Sequence, residues 1–339
     1  LAAATLGVPG AAVVLAGECV RDAWPGGVTV ECRNDMRSKL LEVMRAGADV
    51  APTVRVEAGR VLGALGDPRV EVLDPLKIDW CDVPAGSFKM GDDELFNVEI
   101  GYPFKISRYP ISTAQYTVFV SEGGYGHAAY WSEAAAVGRW KDGMIKGRFD
   151  DNPRDRPVDF VEPFGLPNHP VVGVAWYEAL AFTRWLTDYM KTNGCLEEGW
   201  GVVLPSDAEW EKAARGDDGR EYPWGGELTP NHANYRGTGV GSTSAVGCFA
   251  QGASPYSVEE MSGNVWEWTR SVWADYPYNP SDGRERLDAG DEATRVLRGG
   301  SFDYVDRYMR CGARRNLVPD VRYNYLGFRV ILSPFTSGF

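Results

Sequence analysis

The stretch VLRGGSFDYVDRYMRCGARRNLVPDVRYNYLGFRVIL, residues 296–332, decides how the chain is read. Its end, FRVIL (328–332), has the apolar, β-branched composition of a buried closing strand. Before it, DYVDRY (303–308) and VRYNY (321–325) mix aromatic and polar residues without a clean burial period. Tyr304, Tyr308, Tyr323 and Tyr325 stand among Asp303, Asp306, Arg315 and Arg322. Rigid amphipathic rings beside charged groups give large contact area at low entropic cost, which is the chemistry of a binding surface. Residues 295–329 also hold eight Arg (295, 298, 307, 310, 314, 315, 322, 329) against three acids (303, 306, 320). One reading of that excess is an anionic ligand; the other is guanidinium groups holding irregular backbone.

The rest of the 339 residues sets bounds. With 44% apolar and 12% aromatic residues the chain has ample core material, and a net charge of −12 repels phosphate backbones, so no nucleic-acid partner is expected. The opening LAAATLGVPGAAVVLAGECVRD is broken by Gly, Pro and charge, so no membrane insertion is expected. Three scattered His (127, 169, 232) and six Cys (19, 32, 81, 195, 248, 311) without C-x-x-C spacing argue against zinc and haem attachment. Separate thiols suit a reducing compartment, and the cytoplasm is the expected location. MRSKLLEVMRAG (36–47) and TVRVEAGRVLGALGDPR (53–69) predict a helical hairpin within a segment 1–75. Beyond it, helices are predicted after Ser112 and Ser206, each opening a capping box, and around Trp176–Met190. Long loops fill 125–170, 216–264 and 270–295, where Asp150-Asp151, Asp217-Asp218 and Asp288/Asp291/Glu292 read as solvated charge.

In order along the chain come VPAGSFKMGDDE (83–94), YPISTAQYTVFV (109–120), HPVVGVAWYEALAFTRWL (169–186), VLPSDAEWEKAARG (203–216), YPWGGE (222–227), MSGNVWEWTRSVW (261–273), VLRGGSF (296–302) and LGFRVI (326–331). This series resembles the formylglycine-generating-enzyme, or sulfatase-modifying-factor, family. The resemblance implies an α+β, C-type-lectin-like fold with little regular secondary structure over 76–339. The family's oxidases bind copper through a cysteine pair after the GGS motif; here residues 299–315 contain Cys311 alone, so no copper is expected. Members with calcium loops imply a structural calcium ion held by Glu260, Gly263, Val265 and Glu267. In the family's motifs Arg298, Arg310, Arg314 and Arg329 are expected to pin loop carbonyls, which leaves Arg315 and Arg322 for binding.

The RGGS (298–301) and LGFR (326–329) pair also resembles the variable proteins of diversity-generating retroelements, whose rewritten segment lies between such motifs. It implies a variable region at 296–330, with contacts from Phe302, Asp303, Tyr304, Val305, Asp306, Tyr308, Arg315, Leu317, Val321, Arg322, Tyr323, Asn324 and Tyr325. The helical segment resembles, locally, the tail joining an NTPase module to a sensor in large bacterial signalling proteins. The expected function is therefore display of a diversified surface for a protein ligand, and, with the cysteine pair missing, not an enzyme. A fixed sensor domain of an NTPase-linked protein is the second reading, and a copper oxidase the third.

Overall fold

The computed structural model describes residues 7–334; residues 1–6 and 335–339, the ends of the two predicted domains, lie outside the described residues. Three helices open it, α1 (Ala11–Ala23), α2 (Val30–Arg45) and α3 (Pro52–Leu65), followed by the short α4 (Val70–Leu73). The hairpin was legible, but α1 was not, because Gly17 reads as a breaker. In the fold it is a contact point: a Cβ there would come within 3.0 Å of both Leu40 and Val61.

Strands β1 (Trp80–Val83), β2 (Gly86–Met90), β3 (Phe96–Ile100) and β4 (Phe104–Ser107) follow, then α5 (Thr113–Ser121), α6 (Ser132–Ala136), β5 (Trp140–Lys141), β6 (Met144–Ile145), α7 (Trp176–Thr192), β7 (Gly201–Val203) and α8 (Asp207–Arg215). The chain ends with β8 (Trp266–Val272), β9 (Arg295–Arg298), β10 (Arg314–Leu317), β11 (Leu326–Gly327) and β12 (Ile331–Ser333). Both predicted capping boxes form. The Ser112 hydroxyl accepts from Gln115 N at 3.1 Å and the Ser206 hydroxyl from Glu209 N at 3.0 Å, and each Gln or Glu side chain accepts in return.

One sheet has the order β1-β4-β12-β7, so FRVIL delivers β12 between strands from much earlier in the chain, with Ile331 opposite both Ile106 and Val203. The other has the order β10-β9-β8-β11, in which only β11 runs parallel to its neighbour, Leu326 opposite Trp266. Aromatic side chains fill the core between α7 and these sheets: Trp176, Phe182, Trp185, Trp266, Trp268 and Phe328 belong to one buried cluster. A further cluster joins α1–α3 to Ala245, Cys248 and Phe249, so the helical segment shares a core with the loop region 216–264.

Among the described residues no helix is long and apolar enough to cross a membrane. The acidic loops are largely solvated as expected, Asp151, Asp217, Asp218, Asp288 and Glu292 being exposed and Asp150 and Asp291 partly enclosed, though several of these carboxylates are ion-paired. Asp150 is paired with Arg322, Asp218 with Arg220, Asp291 with Arg139 and Glu292 with Arg148.

Candidate functional site

The sheet β10-β9-β8-β11 carries two loops, 299–313 and 318–325; Arg298 fixes the first from beneath, and the second is tied to α7 and its approach. Arg298 is fully buried; it donates to the carbonyls of Cys311 (3.1 Å) and Ala313 (3.4 Å) and pairs with Glu211 at 2.7 Å and with Asp207. Arg329 donates to the carbonyls of Ser107 (3.0 Å) and Glu259 (3.0 Å) and holds Glu267 at 2.6 Å. Arg314 donates to Ala274 O and Arg310 to Arg307 O, so all four motif arginines pin carbonyls as expected. The first loop turns at Gly299 and Gly300, both at positive φ (93° and 75°). At Gly300 a Cβ would strike Met309 at 2.3 Å and the Tyr308 carbonyl at 2.7 Å, so only glycine lets the chain double back here. The second loop is tied to α7 and its approach, Trp176 N donating to Pro319 O at 3.0 Å and Gly173 N to Tyr323 O at 3.1 Å.

On this frame the tyrosines of two separate stretches meet. Tyr304 and Tyr308 stand edge-on to each other (5.3 Å) and to Trp266 (5.4 and 5.8 Å), Tyr325 meets Tyr304 at 5.9 Å, and Tyr323 stacks on Tyr325 at 5.0 Å. All four are half-buried, and burial pushes the Tyr325 phenol up to about 12. The Arg315 guanidinium lies 5.1 Å over the Tyr304 ring and has no hydrogen-bond or ion-pair partner among the described residues. Val305, Leu317 and Asn324 are half-buried around the rings, and Asp303 and Asp306 are exposed at the rim.

Three expected contact residues face inward. Phe302 is buried against Phe164 (5.7 Å), and Val321 belongs to the main core. Arg322 is enclosed in a paired site, 2.7 Å from Glu178 and 2.5 Å from Asp150, so its charge is spent on holding the loop to α7. Reading the sequence also passed over the floor of the cluster. Trp266 and Ser301 are fully buried, and neither the indole Nε1 nor the serine Oγ makes a hydrogen bond within the protein. Buried polar atoms of this kind are uncommon and mark places where a water or a ligand group completes the pairing. Nothing in the sequence signals them, because nearly every β8 position is buried and no periodicity singles out Trp266.

Of the four residues expected to hold calcium, Glu260, Gly263 and Glu267 have their oxygens engaged within the protein and do not fit the ion. Both oxygens of Glu267 are taken by Arg329 (2.6 and 2.8 Å), one of them also by Trp210 Nε1 (2.7 Å). Both Glu260 oxygens are engaged, one accepting from Gly247 N (2.8 Å) and the other from Asn264 Nδ2 (3.1 Å). The Gly263 carbonyl accepts from Val265 N at 2.9 Å. Cys311 is buried beside Arg215 and Glu211, and burial drives its thiol pKa upward, which opposes the thiolate that binds copper. Among the described residues no cluster of three or more His, Cys, Asp or Glu side chains is placed to hold a metal ion.

The family model described as the sulfatase-modifying factor enzyme 1-like domain matches residues 78–334. The chain belongs to this family. It is 30% identical over 303 residues to the formylglycine-generating enzyme of Thermomonospora curvata, covering 74% of this chain and 92% of that protein. It is 31% identical over 268 residues to the hercynine oxygenase of Mycolicibacterium thermoresistibile, covering 75% of this chain and 56% of that one. The solved structure of PvdO from Pseudomonas aeruginosa superposes with a TM-score of 0.53 at 27% identity, covering 75% of this chain and 94% of that one. These matches correct one expectation: the absence of a cysteine pair suggested that the chain is not an enzyme, whereas its relatives at this identity are named as enzymes.

Proposed function

We propose that the sulfatase-modifying-factor-type domain of this chain binds a protein ligand through the surface formed by Tyr304, Tyr308, Tyr323, Tyr325 and Arg315, and that this surface is diversified between the RGGS and LGFR motifs. The observation that carries the reading is the convergence of four half-buried tyrosines and an unpaired guanidinium on one patch, with the first supporting loop held by Arg298 and the second tied to α7 and its approach. Tyr and Arg dominate the energetics of protein interfaces, and a frame that does not depend on the displayed side chains tolerates their exchange. Asp303, Val305, Asp306, Leu317 and Asn324 form the remainder of the surface, whereas Phe302, Val321 and Arg322 support it.

The test is to sequence the DNA flanking the 3′ end of the gene for a near copy of the codons for residues 296–330. The expected copy differs at adenines in the codons of Tyr304, Tyr308, Tyr323, Asn324 and Tyr325, and keeps those of Arg298, Arg314, Arg322 and Arg329. No such copy, or differences concentrated on the four buried arginines, overturns diversification of this surface.

A further inference from the structure

An open basin of about 590 Å³ adjoins the tyrosine surface, between the turn 221–228, Tyr235 and Asp306. The turn is stiffened by its own rings: Tyr222 stacks on Trp224 at 5.2 Å, Trp224 stacks on His232 at 4.5 Å, and Trp224 Nε1 donates to Glu227 O at 3.0 Å. Tyr235 is nine-tenths buried and lines the basin, and its phenol oxygen has no hydrogen-bond partner among the described residues. Three carboxylates share the basin with it, Glu221, Glu227 and Asp306. All three are exposed, and among the described residues none of them is in an ion pair. The guanidiniums closest to them along the chain are committed elsewhere: Arg220 to Asp218 at 2.6 Å, Arg310 to Asp92 at 2.7 Å, and Arg307 to the ring and hydroxyl of Tyr308.

This lining selects a cation. Charges of one sign around a concave surface focus the field toward it, and tyrosine faces attract ammonium and guanidinium groups. A phenol oxygen without a partner offers a lone pair to an N–H of such a group. A metal ion does not suit the basin: among the described residues no three His, Cys, Asp or Glu side chains are placed to hold one, so these carboxylates are too widely spread to share a single ion. The fitting guest carries its positive charges on separate flexible arms. The basin is also continuous with the tyrosine surface, since Tyr235, Ala233 and Met309 form the buried cluster on which Tyr304 and Tyr308 pack, and Asp306 lies between those two tyrosines in the chain. We infer that the basin receives Lys or Arg side chains from a basic segment of the protein ligand, their charges on Glu221, Glu227 and Asp306 and one N–H on the Tyr235 phenol. This rests on the reading of the tyrosine surface as protein-binding and adds the chemical character of the partner.

Fluorescence anisotropy of the whole chain with a fluorescein-labelled Gly-Lys-Gly-Lys-Gly-Lys-Gly peptide tests this at about 50 mM salt, where exposed charges are weakly screened. The peptide is expected to bind at least about tenfold more tightly than the same peptide with Ser in place of Lys. Changing Glu221→Gln, Glu227→Gln and Asp306→Asn together is expected to weaken that binding at least about tenfold. Changing Glu99→Gln, Glu122→Gln and Glu197→Gln together alters the net charge equally at exposed positions elsewhere and is expected to weaken it less than about threefold. Both triple variants alter exposed side chains only, so their melting temperatures are expected to stay near wild type. Tyr235→Phe keeps the ring, removes the acceptor and is expected to weaken binding about threefold or more. Equal binding of the Lys and Ser peptides overturns the inference, as do equal losses in the two triple variants, the outcome for attraction to the net charge of −12 alone, and wild-type affinity in Tyr235→Phe. A near copy of the codons for residues 296–330 found beside any of these failures leaves the tyrosine surface standing and removes only the basin.

Discussion

Arg315 and Arg322 carry the same charge in opposite surroundings, and each residue's surroundings set what its loss does. Arg322 is buried between Glu178 and Asp150, so Arg322→Met leaves two carboxylates facing a low-dielectric interior. Breaking a buried pair from one side costs about 3–5 kcal/mol, and urea denaturation is expected to show a loss of that size. Arg315→Met touches no ion pair and is expected to stay within about 0.5 kcal/mol of wild type in the same measurement. The half-buried rings fall between these limits: Tyr323→Ala removes a stack on Tyr325 and is expected to cost about 1 kcal/mol, more than a free surface residue and less than a core one. Two other buried residues give opposing pH dependences. Burial lowers His169 from 6.5 to about 3, so the unfolded chain takes up its proton first and the stability this neutral ring contributes is lost as pH falls below 6.5. Burial raises Glu260 from 4.5 to about 7, so the folded chain keeps a proton that the unfolded chain releases, and stability is lost as pH rises from 4.5 through about 7. Between 4.5 and 6.5 the two oppose each other. Melting curves across that window are therefore expected to be steeper in either single variant than in wild type, falling with pH in His169→Gln and rising with pH in Glu260→Gln. Parallel curves for the two variants would show that these groups do not titrate as their burial requires.

At the scale of elements, what could be read from the sequence was what is local. Capping chemistry spans four residues, so Ser112 and Ser206 announced α5 and α8, and Ser206→Ala is expected to cost about 1 kcal/mol, checked by denaturant midpoint at unchanged m-value. FRVIL announced a buried strand for the same reason. Its partners did not show, because β4 and β7 lie far earlier in the chain and pairing them is a tertiary event. The same distance hid the role of Arg322: in the sequence it is one more charge beside tyrosines, and its two carboxylates come from a loop and a helix 172 and 144 positions away. The motif arginines were legible because the family resemblance supplied their loops, and the structure adds which carbonyls they hold. The calcium set was carried by resemblance alone, and it fails where Arg329 occupies Glu267. Within the tyrosine patch the residue types were visible but their convergence was not, since 304–308 and 323–325 meet only through β9, β10 and β11.

The whole molecule is held together across the boundary that composition suggested at residue 75. Leu40, Met44, Ala58, Val61 and Leu62 of the helices share a buried cluster with Ala245, Cys248 and Phe249 of the body. Polar contacts follow the same seam: Arg69 pairs with Asp67 at 2.6 Å and donates to Val246 O at 2.7 Å, Arg45 reaches Glu259 at 3.1 Å, and Asn168 Nδ2 donates to Gly59 O at 3.0 Å. A Cβ at Gly59 would approach Ala245 to 2.8 Å and Cys248 Sγ to 3.0 Å, so the α3 backbone itself lies against the loop. Removing the helices would therefore expose Phe249 and Cys248, now 1% and 0% accessible, and leave Glu259 without Arg45. Uncovering fully buried apolar side chains costs about 1.5–3 kcal/mol each, against a total stability of about 5–15 kcal/mol for a domain. A fragment of residues 76–339 is expected to melt well below the full chain, while Arg45→Ala, which removes only the seam contacts to Glu259 and Tyr109, lowers the melting temperature by only a few degrees. If instead the fragment melts together with the full chain, the helices ride on a body that is stable without them. Loss of a single sharp transition in the fragment would show that the loop region 216–264 takes its order from α3.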